Sequence, residues 1–425
     1  MGFGSAKEQI TPPFPTRLAC AGEFDKDFRY IHDDIFVRCL VVDDGTRKCV
    51  LFSFDILFHD RSLNRALEVY AAEAYGIDPT GVVVGSTHSH MAPATSSYNR
   101  GFESPEYEDF LLCQAKRCLD RAMCTMYDGT MEYQRFHEGF NVSRRGMVNG
   151  KFTIHPAPDR PRDTEFSLLV VRDLTGAVRA VVMNYGCHPV FYPATDAISG
   201  EFPARVCQLL DAKYFGCTSL FFQSAGGDVR PAPTVADGKF VSGLSFAAVD
   251  DFAQAIFRVV SRQIEQGGEP LTLSLAAEAF CLKLPMEPVS LEAFTKEWER
   301  IQHRPVNPIL VNARYIVREG GYEKLEKELP LFCQTIRLSQ EVYLATMGGE
   351  PTSGVKNAVK AAFGEKQVVF VGYTDDCAYL VSDQELTEGG YEPNSFLEYC
   401  LIGPLKPGLD DAYRGGFAES LERLK

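Results

Sequence analysis

Three of the chain's eight histidines and one of its glutamates stand where chemistry can be assembled. In GVVVGSTHSHMAP, residues 81 to 93, a run of small apolar and β-branched residues leads into His88 and His90 and stops at a proline. A strand places residues i and i+2 on one face, so an extended conformation continuing through Thr87 sends both imidazoles beyond the sheet together, where they could share a metal. The alternative is a His88 packed under a loop beside a solvated His90. NYGCHPV repeats that grammar around His188, and YLATMGGEP runs through two glycines to Glu350 at the mouth of a helix. Taken alone, Glu350 reads equally as a first-turn acid favoured by the helix dipole. Three such strand ends in one chain shift the balance, because two histidines and a carboxylate are a common ligand set for a catalytic zinc that keeps positions open for water and substrate. The remaining histidines, His32, His59, His137, His155 and His303, lack this context.

The elements that must position these residues alternate between strand and helix. IFVRCLVVDD and KCVLFSFDIL flank Asp44-Gly45 as a hairpin, and Leu63, Leu67, Tyr70 and Ala74 fall at helical spacing between 60 and 75. Ser104-Pro105-Glu106 opens a second helix that runs to about Met126. EFSLLVVRD and GAVRAVVMNYG read as a strand pair, 202–213 as a helix, TSLFFQ as a strand and 246–266 as a longer helix. After the break Gly267-Gly268-Glu269-Pro270 come a strand over LTLSLAAEAFCLKLP, a helix over 291–301, a Pro-rich joint at 304–308, the strand EVYLATMGG, a helix after Pro351 and the strand QVVFVGYT. The expected fold is α/β, with layered mixed sheets and flanking helices. Residues 1–268, with the histidines, and 269–425, with Glu350, form two parts of one catalytic unit, since no flexible linker separates them.

Composition narrows the partners. At 425 residues and 45% hydrophobic the chain can bury a large core, and no stretch approaches the ~20 apolar residues of a membrane span. The start MGFGSAKEQITPPFP lacks the basic and apolar regions of a signal peptide. Thirteen cysteines with no C-x-x-C pair, among them Cys39, Cys49, Cys113, Cys118, Cys187 and Cys281 in apolar runs, suit reduced thiols filling a core in a cytoplasmic protein. A net charge of −14 disfavours nucleic acid and anionic membrane surfaces, which leaves small molecules as partners; oligomeric state is not legible.

The residues around these positions resemble the neutral/alkaline (non-lysosomal) ceramidases, zinc-dependent amidases that hydrolyse the N-acyl bond of sphingolipids. THSHMAP is similar to that family's THTHSGP segment, and further similarities follow in order: ITPP near the start, NYGCHPV, SAGGDVRP, GGEP and EGGYE. The resemblance covers the catalytic domain up to about residue 400, and the C-terminal immunoglobulin-like domain of the longer ceramidases is expected to be missing. It implies one zinc held by His88, His188, Glu350 and Tyr391. Tyr391 comes from the resemblance alone, because a tyrosine in a Gly-rich loop is more often a packed ring with a wet hydroxyl. His90 then stands beside the metal as general acid/base and oxyanion donor.

One position departs from the pattern. The family has GDVSP or a close variant, whose serine takes a direct catalytic or substrate-positioning role; SAGGDVRP carries Arg230 there. Arginine cannot be a serine-type nucleophile, and Ser224 occupies a different place in the motif. A guanidinium in such a cleft needs a partner, either a protein carboxylate such as Asp228 or an anionic group on the substrate. Arg230 is therefore placed among the catalytic residues as the one that binds substrate. The expected activity is zinc-dependent hydrolysis of an amide bond in a small, soluble, anionic molecule. Ester or lactone hydrolysis on the same site and a non-catalytic binding role stand as alternatives, whereas the irregular order after residue 270 does not suit the eight βα units of a barrel hydrolase.

Overall fold

A computed structural model describes residues 1–20, 26–375 and 378–424. The first two-thirds of the chain supply β1 (Gly2–Gln9), β2 (Phe36–Asp43), β3 (Lys48–Phe54), α1 (Arg61–Tyr75), β4 (Val82–Ser86), α2 (Pro105–Cys124), β5 (Tyr127–His137), β6 (Asn141–Val148), β7 (Lys151–Ala157), β8 (Glu165–Asp173), β9 (Val178–Tyr185), α3 (Glu201–Lys213), β10 (Thr218–Gln223), β11 (Val229–Pro231) and α4 (Phe246–Gln266). The rest adds β12 (Ala276–Pro285), α5 (Leu291–Ile301), α6 (Pro308–Arg318), β13 (Glu328–Arg337), β14 (Val342–Met347), α7 (Ser353–Ala361), β15 (Gln367–Val371), α8 (Asp383–Glu388) and α9 (Leu409–Arg423). The large sheet runs β10-β9-β8-β5-β1-β2-β3-β4, a second runs β12-β13-β14-β15, and β11, β6 and β7 form a small third.

Alternation along the strands explains why both sheets are covered on both faces. In β2, Val37, Cys39 and Val41 pack with α1 and α2, whereas Leu40 and Val42 turn to the opposite face, where they meet Ile336, Leu344 and Val369 of the second sheet. Odd and even positions are thus both apolar, and the runs read as nearly continuous hydrophobic stretches. Over the other half of the large sheet, α3 and α4 cover Leu168, Val181, Met183 and Phe221. The far face of the second sheet packs α7 and α9 around Leu331, Ala345, Val355 and Phe417. The layers are therefore helices, large sheet, small sheet, helices, an α/β architecture. Apolar residues from both sides of position 268 share the core between the sheets.

Three pairs among these longer strands are parallel: β3 with β4, β9 with β10, and β14 with β15. Each is joined by a crossover helix, respectively α1, α3 and α7, as parallel pairing requires. Helix starts follow the expected chemistry: Ser104 accepts from the Tyr107 amide with Pro105 in the first turn, and Ser245 accepts from the Ala248 amide. Two expectations need correction. The strand foreseen from residue 271 begins only at Ala276, because Leu271 turns to the edge of the large sheet and donates its amide to Met131 O. Cys113 and Cys281 are exposed rather than core filler, while Cys39, Cys49, Cys118 and Cys187 are buried, and Cys377 lies outside the described residues. Among the described residues no helix is long and apolar enough to cross a membrane.

His59 shows what a buried histidine without catalytic surroundings does here. Its Nε2 donates to Thr374 O at 3.0 Å, and its Nδ1 lies 2.8 Å from the Ser86 hydroxyl. Burial pushes its pKa down from 6.5 to about 4. The unfolded chain takes up this proton near pH 6.5 and the folded chain only near 4, so the contribution is complete above 6.5 and is lost as the pH falls towards 4. It amounts to about 3 kcal/mol. Urea unfolding between pH 7 and 4 should therefore show His59→Gln losing a large part of the wild-type slope; an unchanged slope would assign it to other groups.

Candidate functional site

The carboxyl ends of the three parallel pairs converge, and the residues that follow them form one site. His88 comes after β4, His188 after β9, the segment 224–230 after β10, Glu350 after β14 and Tyr373 after β15. Gln223 ties these ends together. Its side-chain amide donates to Thr87 O at 3.0 Å and Cys187 O at 2.9 Å, and its Oε1 accepts from the Cys187 amide at 3.1 Å, so one side chain fixes the peptides just before both histidines. The glycine-rich turns bring their backbones together as well. Gly227 donates to Pro351 O at 2.9 Å, and a Cβ on Gly227 would lie 2.6 Å from Glu350 O.

The expectation of an extended chain through Thr87 is not met. The strand ends at Ser86, and His88 sits at φ 67°, a left-handed conformation. That turn folds His88 inward, yet His90 still reaches it: their Nε2 atoms are 3.2 Å apart. Of the other non-glycine residues at positive φ, Asn149 and Asp237 occupy hairpin turns before glycines, whereas Tyr192, Glu201, Tyr373 and Cys400 lie at or next to the site. Glu201, buried at the mouth of α3, has its pKa pushed up to about 8 by burial.

His88, His90 and His188 are the one group of three such side chains, among the described residues, whose potential ligand atoms gather within 4.8 Å of one another. Carbonyls only accept, so Nδ1 of His88 donates to Leu57 O at 3.1 Å and Nδ1 of His188 donates to Gly226 O at 2.9 Å. The neutral rings then turn their Nε2 lone pairs towards each other at 3.0 Å. Glu350 Oε1 accepts from the Tyr399 hydroxyl at 2.6 Å, while its Oε2 is buried without a hydrogen-bond partner, 3.4 Å from His88 Nε2 and 3.3 Å from His188 Nε2. Burial opposes the charge on Glu350, and a positive charge at the His88 Nε2 position, whether a proton or a bound cation, brings its pKa below the ordinary value. Burial, with His88 next, keeps the His188 pKa well below normal. Two converging lone pairs and an unpartnered carboxylate oxygen, all buried, suit a positive centre between them, and nitrogen and oxygen donors of this kind fit a divalent metal ion.

His90 is held differently. Its Nδ1 lies 2.8 Å from the hydroxyl of Tyr192, a group that can donate or accept, so either tautomer is available. Burial and the neighbouring His88 lower its pKa well below the usual value.

These side chains line a cavity of about 220 Å³ that also contains Tyr391, Arg230, Arg144 and Glu398. The Tyr391 hydroxyl donates to Glu398 Oε2 at 2.6 Å, and Tyr98 donates to Glu398 Oε1 at 2.8 Å. Ser224 points away from the cavity, donating to Asp163 at 3.1 Å. Asp228 accepts from the amide and hydroxyl of Ser353, both at 3.0 Å, and so caps α7 rather than pairing with Arg230. The Arg230 guanidinium rests 4.9 Å from the centre of the Phe240 ring, and its Nε finds no partner among the described residues. Gln223, Arg144, Tyr192, Glu398 and Tyr399 belong to no motif visible in the sequence. A larger cavity of about 390 Å³ lies beyond Asp228, where Lys356 pairs with Asp163 and Glu165, Lys360 with Glu165 and Arg160 with Glu388, while Arg162 donates to Asn141 and to Pro158 O.

Among solved structures the chain is similar to neutral ceramidase from Pseudomonas aeruginosa, with a TM-score of 0.75 and 18% identity over 100% of this chain and 75% of that one. A structure described as ceramidase complexed with C2 gives a TM-score of 0.74 and 17% identity over the same shares. The fold is neutral ceramidase-like, as the ordered motifs imply. No protein-family model and no curated protein matches the chain.

Glu392 joins the strand next to the site to the segment after α8. Its two oxygens take Arg144 Nε at 2.9 Å and Arg145 Nη1 at 2.5 Å, and all three side chains are buried. Removing the carboxylate leaves buried Arg144 without its counter-ion and Arg145 with Glu388 alone, so Glu392→Ala should lose about 3–5 kcal/mol in chemical denaturation. A loss below about 1 kcal/mol would show that Glu388 and the carbonyl of Gly389, which also bind Arg145, suffice.

Proposed function

We propose that the protein is a zinc-dependent hydrolase of an amide (N-acyl) bond in a small, anionic substrate. The observation that carries this reading is the pair of Nε2 atoms at 3.0 Å facing the orphaned Oε2 of Glu350. His88, His188 and Glu350 would hold the ion, with Tyr391 as the fourth ligand. The hydroxyl of Tyr391 already gives its proton to a hydrogen bond with Glu398, which leaves its oxygen lone pairs free. Bound there, zinc would polarise an acyl oxygen and lower the pKa of water to about 7.

The chain's own residues supply the rest. With the Tyr192 hydroxyl donating to Nδ1, His90 carries its proton on Nε2, placed to stabilise a developing oxyanion or to protonate a leaving amine. With that hydroxyl accepting, Nε2 is a free base. Tyr399 keeps Glu350 oriented through Oε1, and the backbone carbonyls of Leu57 and Gly226 keep His88 and His188 in the tautomer that exposes Nε2. Arg230 adds a fixed positive charge to the cavity for an anionic group of the substrate, since Asp228 is engaged elsewhere. An ester or lactone would demand less of the same groups, because an alkoxide leaves without the protonation that an amine needs.

Elemental analysis of purified protein should find about one zinc per chain. His88→Ala and His188→Ala should lose most of the metal, while His90→Ala should retain it and lose about 100- to 10,000-fold in rate. Both ligand variants keeping full zinc and full activity would refute the assignment, and equal metal loss in all three would make His90 a ligand. Chelation should also lower the melting temperature, because an ion bound only by the folded chain stabilises it, by about 4 kcal/mol at a thousandfold excess over Kd. Turnover of matched amides, esters and lactones by the zinc-loaded protein separates the hydrolase readings, and turnover of none of them would favour a binding role.

A further inference from the structure

Arg144 and Arg230 reach the same cavity from neighbouring strands, and the register explains how. In the antiparallel pairing of β6 with β11, Arg230 lies opposite Val142, and the Arg144 amide donates to Asp228 O at 2.8 Å. Arg144 and Arg230 are therefore diagonal cross-strand neighbours on one face, a relation in which like charges repel. Burial, with Arg144 next, lowers the pKa of Arg230. Arg144 has Glu392, shared with Arg145, yet its Nη2 has no hydrogen-bond partner among the described residues. Both guanidinium groups lie near aromatic rings, Arg144 5.0 Å from the centre of Tyr379 and Arg230 4.9 Å from that of Phe240. Such ring contacts do not consume N–H donors, and Arg144 Nη2 and Arg230 Nε are without a hydrogen-bond partner among the described residues.

We infer that Arg144 and Arg230 form a two-guanidinium clamp for one substrate carboxylate, and that the substrate is a short N-acyl amino acid or an amide of similar size. This rests on the hydrolase reading above for the scissile bond and on the clamp geometry for the carboxylate. A planar carboxylate offers two oxygens to two planar donors, which makes it the natural counter-ion for this pair. The size limit comes from the cavity. Its volume of about 220 Å³ lies below the usual range for drug-sized ligands. Among the described residues Tyr98, Tyr379, Tyr391 and Tyr399 wall one side of it with rings packed against one another, which favours a short acyl group over a long chain there.

Calorimetric titration of the zinc-loaded protein with N-acetyl-L-alanine and with N-acetyl-L-alaninamide tests the clamp, because the two probes differ in one charge. The acid should bind at least about tenfold more tightly than the amide. Arg230→Ser should abolish that preference, and since among the described residues the Arg230 side chain makes no ion pair and rests near Phe240, the fold should survive. Arg144→Lys keeps a cation beside Glu392 and should lose part of the preference. Equal binding of acid and amide, or an Arg230→Ser variant that keeps the full preference, overturns the clamp. An N-palmitoyl amino acid binding more tightly than the N-acetyl one overturns the size limit. Hydrolysis is read separately on the same probes: selective binding without turnover supports the clamp and counts against the hydrolase reading, whereas equal turnover of neutral and anionic amides keeps the hydrolase and sinks the clamp.

Discussion

Two buried imidazole lone pairs pointed at each other across 3.0 Å, with an unpartnered carboxylate oxygen beside them, are an arrangement that folding alone does not favour. Everything around them acts to enforce it. Backbone carbonyls dictate the tautomer of His88 and His188, Tyr399 holds the other oxygen of Glu350, and Gln223 locks the peptides from which both histidines depart. The three βαβ units deliver these pieces from rigid strand ends, and the shared core between the two sheets sets how far apart those ends can be. The site is in this sense a property of the whole layered architecture, with no single loop able to build it.

Much of this is legible in the chain, and the reasons for what is not are specific. Apolar runs that stop at a polar residue mark the strand ends, and His88, His188 and Glu350 are all found that way. Their mutual approach is not, because it depends on the left-handed turn at His88 and on a long-range sheet register. Gln223 sits inside TSLFFQ like any end of a strand, and its role appears only when Thr87 and Cys187 arrive from elsewhere. Arg144 hides in NVSRRG, where nothing local distinguishes it from Arg145. Tyr391 is named by resemblance alone, and its contact with Glu398 adds a carboxyl that no motif announces.

Arg230 gives the cavity its charge. With Asp228 committed to the start of α7, the charge of Arg230 is left to the cavity, beside a second arginine that already shares its counter-ion. A neutral lipid amide would leave that charge unmatched, and an anion would not.

The residues held in left-handed backbone conformations carry a different consequence. His88, Tyr192, Glu201, Tyr373 and Cys400 are not glycines, and each such placement costs about 1–2 kcal/mol relative to an unstrained alternative. An asparagine or glycine at position 88 would relieve the backbone there, but it would also give up the Nε2 that faces His188 and Glu350 and the packing of a buried ring. The left-handed turn therefore marks a place where the backbone is held against its own preference for the sake of where one imidazole points.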